Sequence, residues 1–161
     1  MNLPKFKYFI DPGDVHVGFA LFQDDGDGWY CAEAWETGPE EAEDLVANVV
    51  PNPRVTLVCF ERFKLFGHLA MQQVGSEFRA SQLIGVIKYL VRTRGHAKLQ
   101  LEIQDPNVQP VAEKWASKKN ILLLSVSLGK GPHAKSAELH GWFYLGRRNY
   151  RLKTGLDETA I

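Results

Sequence analysis

FIDPGDVHVGFALF, residues 9–22, is the stretch on which the fold turns. A hydrophobic strand carries one carboxylate, Asp11, straight into a Pro-Gly turn, and the chain returns as a second strand through Val17, Phe19 and Leu21. An ionised carboxylate closing a buried strand loses much of its hydration. A cation offsets that loss, and a divalent metal is the usual candidate at a strand end. VTLVCFE, which closes on Glu61, has the same design. Two strands ending in acids point to a metal-holding site more firmly than either alone.

Working outward, residues 5–10 alternate and read as a strand running into Asp11. Residues 17–23 form the returning strand, residues 24–28 (DDGDG) a tight hairpin turn, and residues 29–35 a third strand. Residues 40–50 open with acids suited to a helix N-terminus, and Pro51 and Pro53 stop that helix. Residues 55–60 are continuously apolar, as in a central strand buried on both faces. Residues 68–94 carry the longest helical periodicity, through Leu69, Val74, Phe78, Leu83, Ile84, Ile87, Leu90 and Val91, with Gly95 as its stop. Residues 98–104 read as a strand, and Asp105-Pro106 begins a helix through Trp115. Residues 121–126 fit a short buried strand or a helix. Residues 129–132 form a glycine-rich loop, residues 134–146 a helix, and the chain from about residue 147 a basic, loosely ordered tail. This order predicts an α/β fold: a mixed sheet with an antiparallel meander followed by parallel crossovers.

The 161 residues suit one domain, 1–161, with a real core. No apolar run approaches the ~20 residues of a membrane span, and the first ten residues lack a signal-peptide pattern, so a cytoplasmic protein is expected. Cys31 and Cys59 fit no metal or redox spacing and read as reduced core residues. The formal net charge is zero, but residues 1–61 hold 3 Lys/Arg against 12 Asp/Glu, and residues 62–161 hold 16 against 7. Such polarity can set a basic face around an acidic, metal-seeking cluster.

A third element should supply further ligands to Asp11 and Glu61. The segment GPHAKSAELHGWFYL puts His133, Ser136 or Ala137, and His140 on one helical face, while Glu138 points elsewhere.

With these residues in hand, a resemblance emerges. DPGxxxxGxA at residues 11–20 resembles the first motif of RuvC-like Holliday-junction resolvases, and the strand ending in Glu61 is similar to their second. HAKSAELHGWFYL resembles the last motif of the phage members, HxRDAxxHAxYY, and QDPNV their QxP segment. The resemblance runs from about residue 6 to residue 146. It implies a ribonuclease H-like mixed five-stranded sheet with flanking helices, a homodimer, and Mg²⁺- or Mn²⁺-dependent cleavage of branched DNA with two ions per site. It also implies that Asp11 bridges both metals, that Glu61 is the second acid, and that His133 fills the first position of the last motif. For a phage protein, the cytoplasm would be that of the bacterial host.

One position departs from the pattern: the closing Asp falls at Ser136, which supplies no charge. Three readings stand open. Ser136 binds through a water; or Asp14, Glu138 or His140 turns in to compensate; or the protein binds junctions with weak or no cutting. For DNA, Lys118, Lys119, Lys130, Lys135, Arg147 and Arg148, with Arg151 and Lys153, supply positive charge suited to backbone contacts. Phe63, Phe66 and His68 follow Glu61, where a loop could wedge bases or pack into the core. The long helix, through Leu83, Ile87, Leu90 and Val91, either provides part of a dimer surface or is wholly consumed by the monomer core. A sugar-kinase- or actin-like ATPase also begins with a strand, Asp and a Gly turn. It needs two lobes, and no GxxxxGK[ST] is present, so no nucleotide cofactor is expected.

Overall fold

A computed structural model of the chain describes residues 3–63 and 78–154. The hairpin of the opening stretch is its centre. Strand β1 (Lys5–Asp11) pairs antiparallel with β2 (Val17–Asp24), which pairs antiparallel with β3 (Trp29–Thr37). Helix α1 (Pro39–Val49) then crosses to β4 (Val55–Glu61), which lies parallel to β1. Helix α2 (Arg79–Arg94) leads to β5 (Gln100–Gln104), parallel to β4. Three helices follow: α3 (Val108–Lys118), the single turn α4 (Leu124–Ser127) and α5 (Pro132–Arg147). The five strands are ordered β3-β2-β1-β4-β5: the mixed sheet that the element order predicts, in the ribonuclease H-like form that the resemblance implies.

Strand alternation divides the core into two layers. Phe9, Leu57 and Cys59 face α3 and α5, where Phe9, Phe22, Trp142 and Tyr144 meet edge to face. Such contacts add about 0.5–1.5 kcal/mol each beyond simple burial. Ile10, Val58 and Phe60 face the opposite way, onto Val46 of α1 and Leu83 and Ile87 of α2. The continuous apolar run of β4 is thus needed on both faces. Of the two readings of the long helix, dimer surface or core, Leu83, Ile87 and Leu90 follow the second and are consumed by this core. Cys31 and Cys59 are both free thiols, and burial pushes both away from ionisation.

Three local expectations need correction. The long helix does not run through Phe78, which adopts a left-handed conformation (φ 43°) immediately before α2. The start of α2 is set from outside, because the Asp14 carboxylate in the β1–β2 loop accepts from the Ala80 N–H at 3.0 Å. The upstream part of that predicted helix, with Phe66, His68, Leu69 and Val74, lies outside the described residues. Residues 121–126 form no buried strand: Leu122 and Val126 are exposed, and only the turn α4 is helical. Past α5, part of the predicted loose tail is pinned to the sheet. The Trp29 N–H donates to the Arg151 carbonyl and the Lys153 N–H to the Trp29 carbonyl, each at 2.8 Å. No helix among the described residues is long and apolar enough to cross a membrane.

One buried cation was not anticipated. Lys7 is 4% exposed on β1, with Nζ 3.3 Å from Thr56 Oγ1 and over the rings of Trp29, Tyr150 and Tyr144. Burial, then the nearby Arg148 charge, pulls its pKa down to about 8.

Candidate functional site

The site is one rung of the sheet. Across β3, β2 and β1 the pairing sets Glu36 opposite Gly18 and Gly18 opposite Asp11. Ile10 pairs with Phe60, so one step further places Asp11 beside Glu61, and Glu61 pairs with Gln104. Neighbouring strands lie about 4.8 Å apart, so the two acids stand side by side. Their side chains are only 14% and 17% exposed. The reversal from antiparallel to parallel pairing at β1 is what brings two acid-tipped strand ends to the same end of the sheet.

Helix α5 lies across this rung. Its own N-cap residue, Gly131, offers no side chain, and Glu36 takes over that role. Glu36 Oε1 accepts from the His133 N–H at 2.7 Å and the Ala134 N–H at 3.3 Å, a negative group at the positive end of the helix. Gly131 is required there twice. Its φ is +93°, and a Cβ would come within 2.5 Å of the Glu36 carboxylate. Gly18, the second glycine of the opening motif, lets the helix touch β2: a Cβ on it would sit 2.1 Å from the His133 backbone.

That approach brings the His133 ring over Asp11, with Nδ1 3.0 Å from Asp11 Oδ2. The hydrogen bond to Asp11, and then the charges of Asp11, Glu36 and Glu61, raise the His133 pKa above the ordinary histidine value, against an opposing effect of burial. One turn on, Ser136 is 2% exposed and its Oγ donates to Glu61 Oε2 at 3.3 Å. A further turn on, His140 Nε2 lies 2.8 Å from the same oxygen, and His140 Nδ1 meets the Gln104 side chain.

Asp11, Glu61, His133, Ser136 and His140 are therefore brought together. Asp14 and Glu138 are not with them. Asp14 caps α2, as described. Glu138 is fully buried on another side of α5, where it accepts from the N–H groups of Leu124 and Ser125 at 2.9 and 2.8 Å and from Trp142 Nε1 at 3.1 Å. It caps α4 with both oxygens and takes the Trp142 indole as well, so it is turned away from the acids. Glu36 lies just past the predicted strand 29–35 and was not expected here; Gln104, which ends the predicted strand 98–104 and opens the QxP-like segment, was given no role at the acids.

The basic residues divide. Lys130 is exposed three positions before His133, and Lys135 is half-buried and pairs with Glu113 at 2.5 Å. Arg147 and Arg148 lie at the far end of the sixteen-residue α5, about 24 Å from its start at 1.5 Å per residue. Arg148 there forks onto Glu102 at 2.8 and 2.9 Å and covers the Tyr144 ring. Lys118 and Lys119 are exposed at the end of α3 remote from β5. Arg62, exposed and adjacent to Glu61, is a nearer cation that the sequence reading passed over.

The donors are right in kind for a hard divalent cation: two partly buried carboxylates with an imidazole beside one of them. Among the described residues Asp11 Oδ1 and Glu61 Oε1 accept no hydrogen bond. They do not yet converge as a set of three. No group of three or more His, Cys, Asp or Glu side chains among the described residues stands ready to hold a metal.

Comparison with solved structures places the fold. The chain is similar to Thermus thermophilus RuvC in complex with a Holliday junction substrate, with TM-score 0.57 and 15% identity over 91% of this chain and 98% of that one. The fold is that of RuvC-like resolvases. A second structure of Thermus thermophilus RuvC matches with TM-score 0.58 at 15% identity. The fowlpox virus resolvase, in complex with Holliday junction DNA, matches with TM-score 0.57 and 12% identity over 89% of this chain and 99% of that one. No family model matches the sequence, and no curated protein does.

Proposed function

We propose that the protein is a metal-dependent, structure-selective endonuclease that cuts Holliday junctions and related branched DNA. The observation that carries this reading is the pair Asp11 and Glu61, side by side on one rung beneath His133 in a RuvC-like fold. Asp11 and Glu61 would hold Mg²⁺ or Mn²⁺, two ions as the resemblance implies, with His133 as the nitrogen donor at hand. Bound there, such ions activate water and stabilise the leaving oxygen of a phosphodiester. The chain's own contribution is placement. Glu36 and Gly18 seat the start of α5, His133 closes over Asp11, and Ser136 and His140 hold Glu61. Lys130, Lys135 and Arg62 are the cations nearest to receive backbone phosphates, which position DNA without reading its sequence. A homodimer would present two such sites to the two like strands of a four-way junction, through a surface other than the buried stripe of α2.

Nicking of a synthetic four-way junction with Mg²⁺ and Mn²⁺ tests the proposal. Wild type should cut, and Asp11→Asn and Glu61→Gln should not; an uncut junction under both metals refutes the reading. One observation favours a second reading, a junction-binding protein with weak catalysis: Ser136 is buried and already committed to Glu61. Under it, wild type binds junctions but cuts poorly, and Ser136→Asp restores nicking.

A further inference from the structure

Gln104 and His140 carry no step of the proposed reaction, yet both close on Glu61. Gln104 is the β5 residue of the same rung, and its backbone carbonyl accepts from the Arg62 N–H at 2.7 Å. Its side-chain amide meets His140 Nδ1. His140 is 3% exposed and presents Nε2 to Glu61 Oε2 at 2.8 Å. A carboxylate only accepts, so Nε2 carries the hydrogen and donates it. The Gln104 atom recorded against Nδ1 is Oε1; in the neutral ring Nδ1 is an acceptor, and the amide meets it as a donor in the flipped orientation, which fills the same space. Glu61 Oε2 receives a second donor from Ser136 Oγ at 3.3 Å.

We infer that Gln104 and His140 form a positioning relay that fixes Glu61, saturating Oε2 with protein donors and reserving Oε1 for the divalent cation. His140 is thereby a brace and not a ligand. The inference rests on the nuclease reading for the identity of the cation's task, and on hydrogen-bond geometry for the rest. Glu61 closes β4. A long carboxylate at such a strand end needs outside partners to hold one rotamer, and partners of this kind commonly tune metal affinity by ~10–100-fold. The relay also gives Ser136 a task that needs no charge: its hydroxyl orients Glu61.

Calorimetric titration with Mn²⁺ of wild type, Gln104→Leu, His140→Leu, the double variant and His140→Gln tests this, with melting temperatures in EDTA measured alongside. Each leucine variant should weaken Mn²⁺ binding by roughly 10–100-fold. The double variant should be no worse than the weaker single, because members of one relay fail together. His140→Gln, whose amide can still donate to Glu61, should recover most of the affinity. Gln104 is only half-buried at a strand end, so its variant carries the test if His140→Leu does not fold. Unchanged Mn²⁺ affinity in Gln104→Leu, or losses that multiply in the double variant, overturn the relay. Wild type that binds Mn²⁺ but leaves junctions uncut defeats the nuclease reading and leaves the relay standing; wild type that cuts, with Gln104→Leu binding Mn²⁺ normally, defeats the relay alone.

Discussion

Gly18→Ala adds a single methyl group where the structure leaves no room for one. A Cβ at this position would lie 2.1 Å from the carbonyl carbon and oxygen of His133 and 2.6 Å from the Ala134 nitrogen. These are backbone atoms, so no side chain can swing aside. Ordinary contact begins near 3.4 Å, so the first turn of α5 must withdraw by about 1.3 Å or β2 must bend by as much. Overpacking of this kind costs about 1–3 kcal/mol, which for a chain of this size lowers the melting temperature by roughly 3–10 °C. The same displacement stretches the 3.0 Å contact between His133 and Asp11 beyond hydrogen-bonding range. If that contact belongs to the reaction, junction nicking should fall on the order of 10²-fold, the usual cost of misplacing a reacting group by 1 Å. Gly85→Ala is the matched control: a Cβ on Gly85, within α2, meets nothing within 4 Å. It should stabilise by about 0.5–1 kcal/mol through helix propensity, with no effect on nicking. Differential scanning calorimetry and a nicking time course read both effects. A Gly18→Ala protein that melts and cuts like wild type would refute the claim that Gly18 seats α5.

Four further outcomes follow from other parts of the molecule. Ser136→Asp places a second carboxylate, without a donor, against Glu61 in a nearly sealed position; it should melt lower than wild type in EDTA and gain more from Mn²⁺, as read by thermal shift with and without metal. Glu138→Gln should cost about 3 kcal/mol, because one amide group then faces the N–H donors of α4; nicking at a temperature where the protein is folded should persist, whereas a metal ligand would lose it. Lys7→Met should raise the urea midpoint at pH 7. The folded lysine has a pKa of about 8 against 10.5 unfolded, so wild-type stability from this group rises as pH climbs between those values, and the gap to Lys7→Met should narrow by pH 10. Glu36→Ala removes the cap of α5, lowering stability by about 1 kcal/mol and loosening His133; a wild-type melting temperature would argue against the cap.

The strands that carry Asp11 and Glu61 were legible because their signals are local: an apolar run, an acid, a turn. His133, Ser136 and His140 were legible as a set because helical spacing puts them on one face. What each side chain does there was not legible. His140 and Ser136 both serve Glu61, and only the height of α5 above the rung, set by Gly18, decides that. Glu138 sits two positions from both of them and faces a different partner, α4, whose existence the apolar run of residues 121–126 disguised. Glu36 and Gln104 looked like ordinary strand residues, since cross-strand register is written nowhere in one strand's sequence. The acidic first part and basic remainder of the chain did not translate into one basic face. Arg148 and Lys153 are absorbed by Glu102 and Asp25 and Lys135 by Glu113, while Lys130 and Arg62 are exposed close in sequence to His133 and Glu61.

The pinning of residues 151–153 against Trp29 has a consequence for solubility. β3 is an outer strand of the sheet, and its free backbone groups invite pairing with another chain. At Trp29 both the N–H and the carbonyl are already taken, by Arg151 and Lys153, and the Lys153 side chain is tied to Asp25 beside them. The chain thus blunts the first part of that margin with its own late residues. Trimming it back before Arg151 would take away Leu152 from the core and uncover a template for edge-to-edge aggregation.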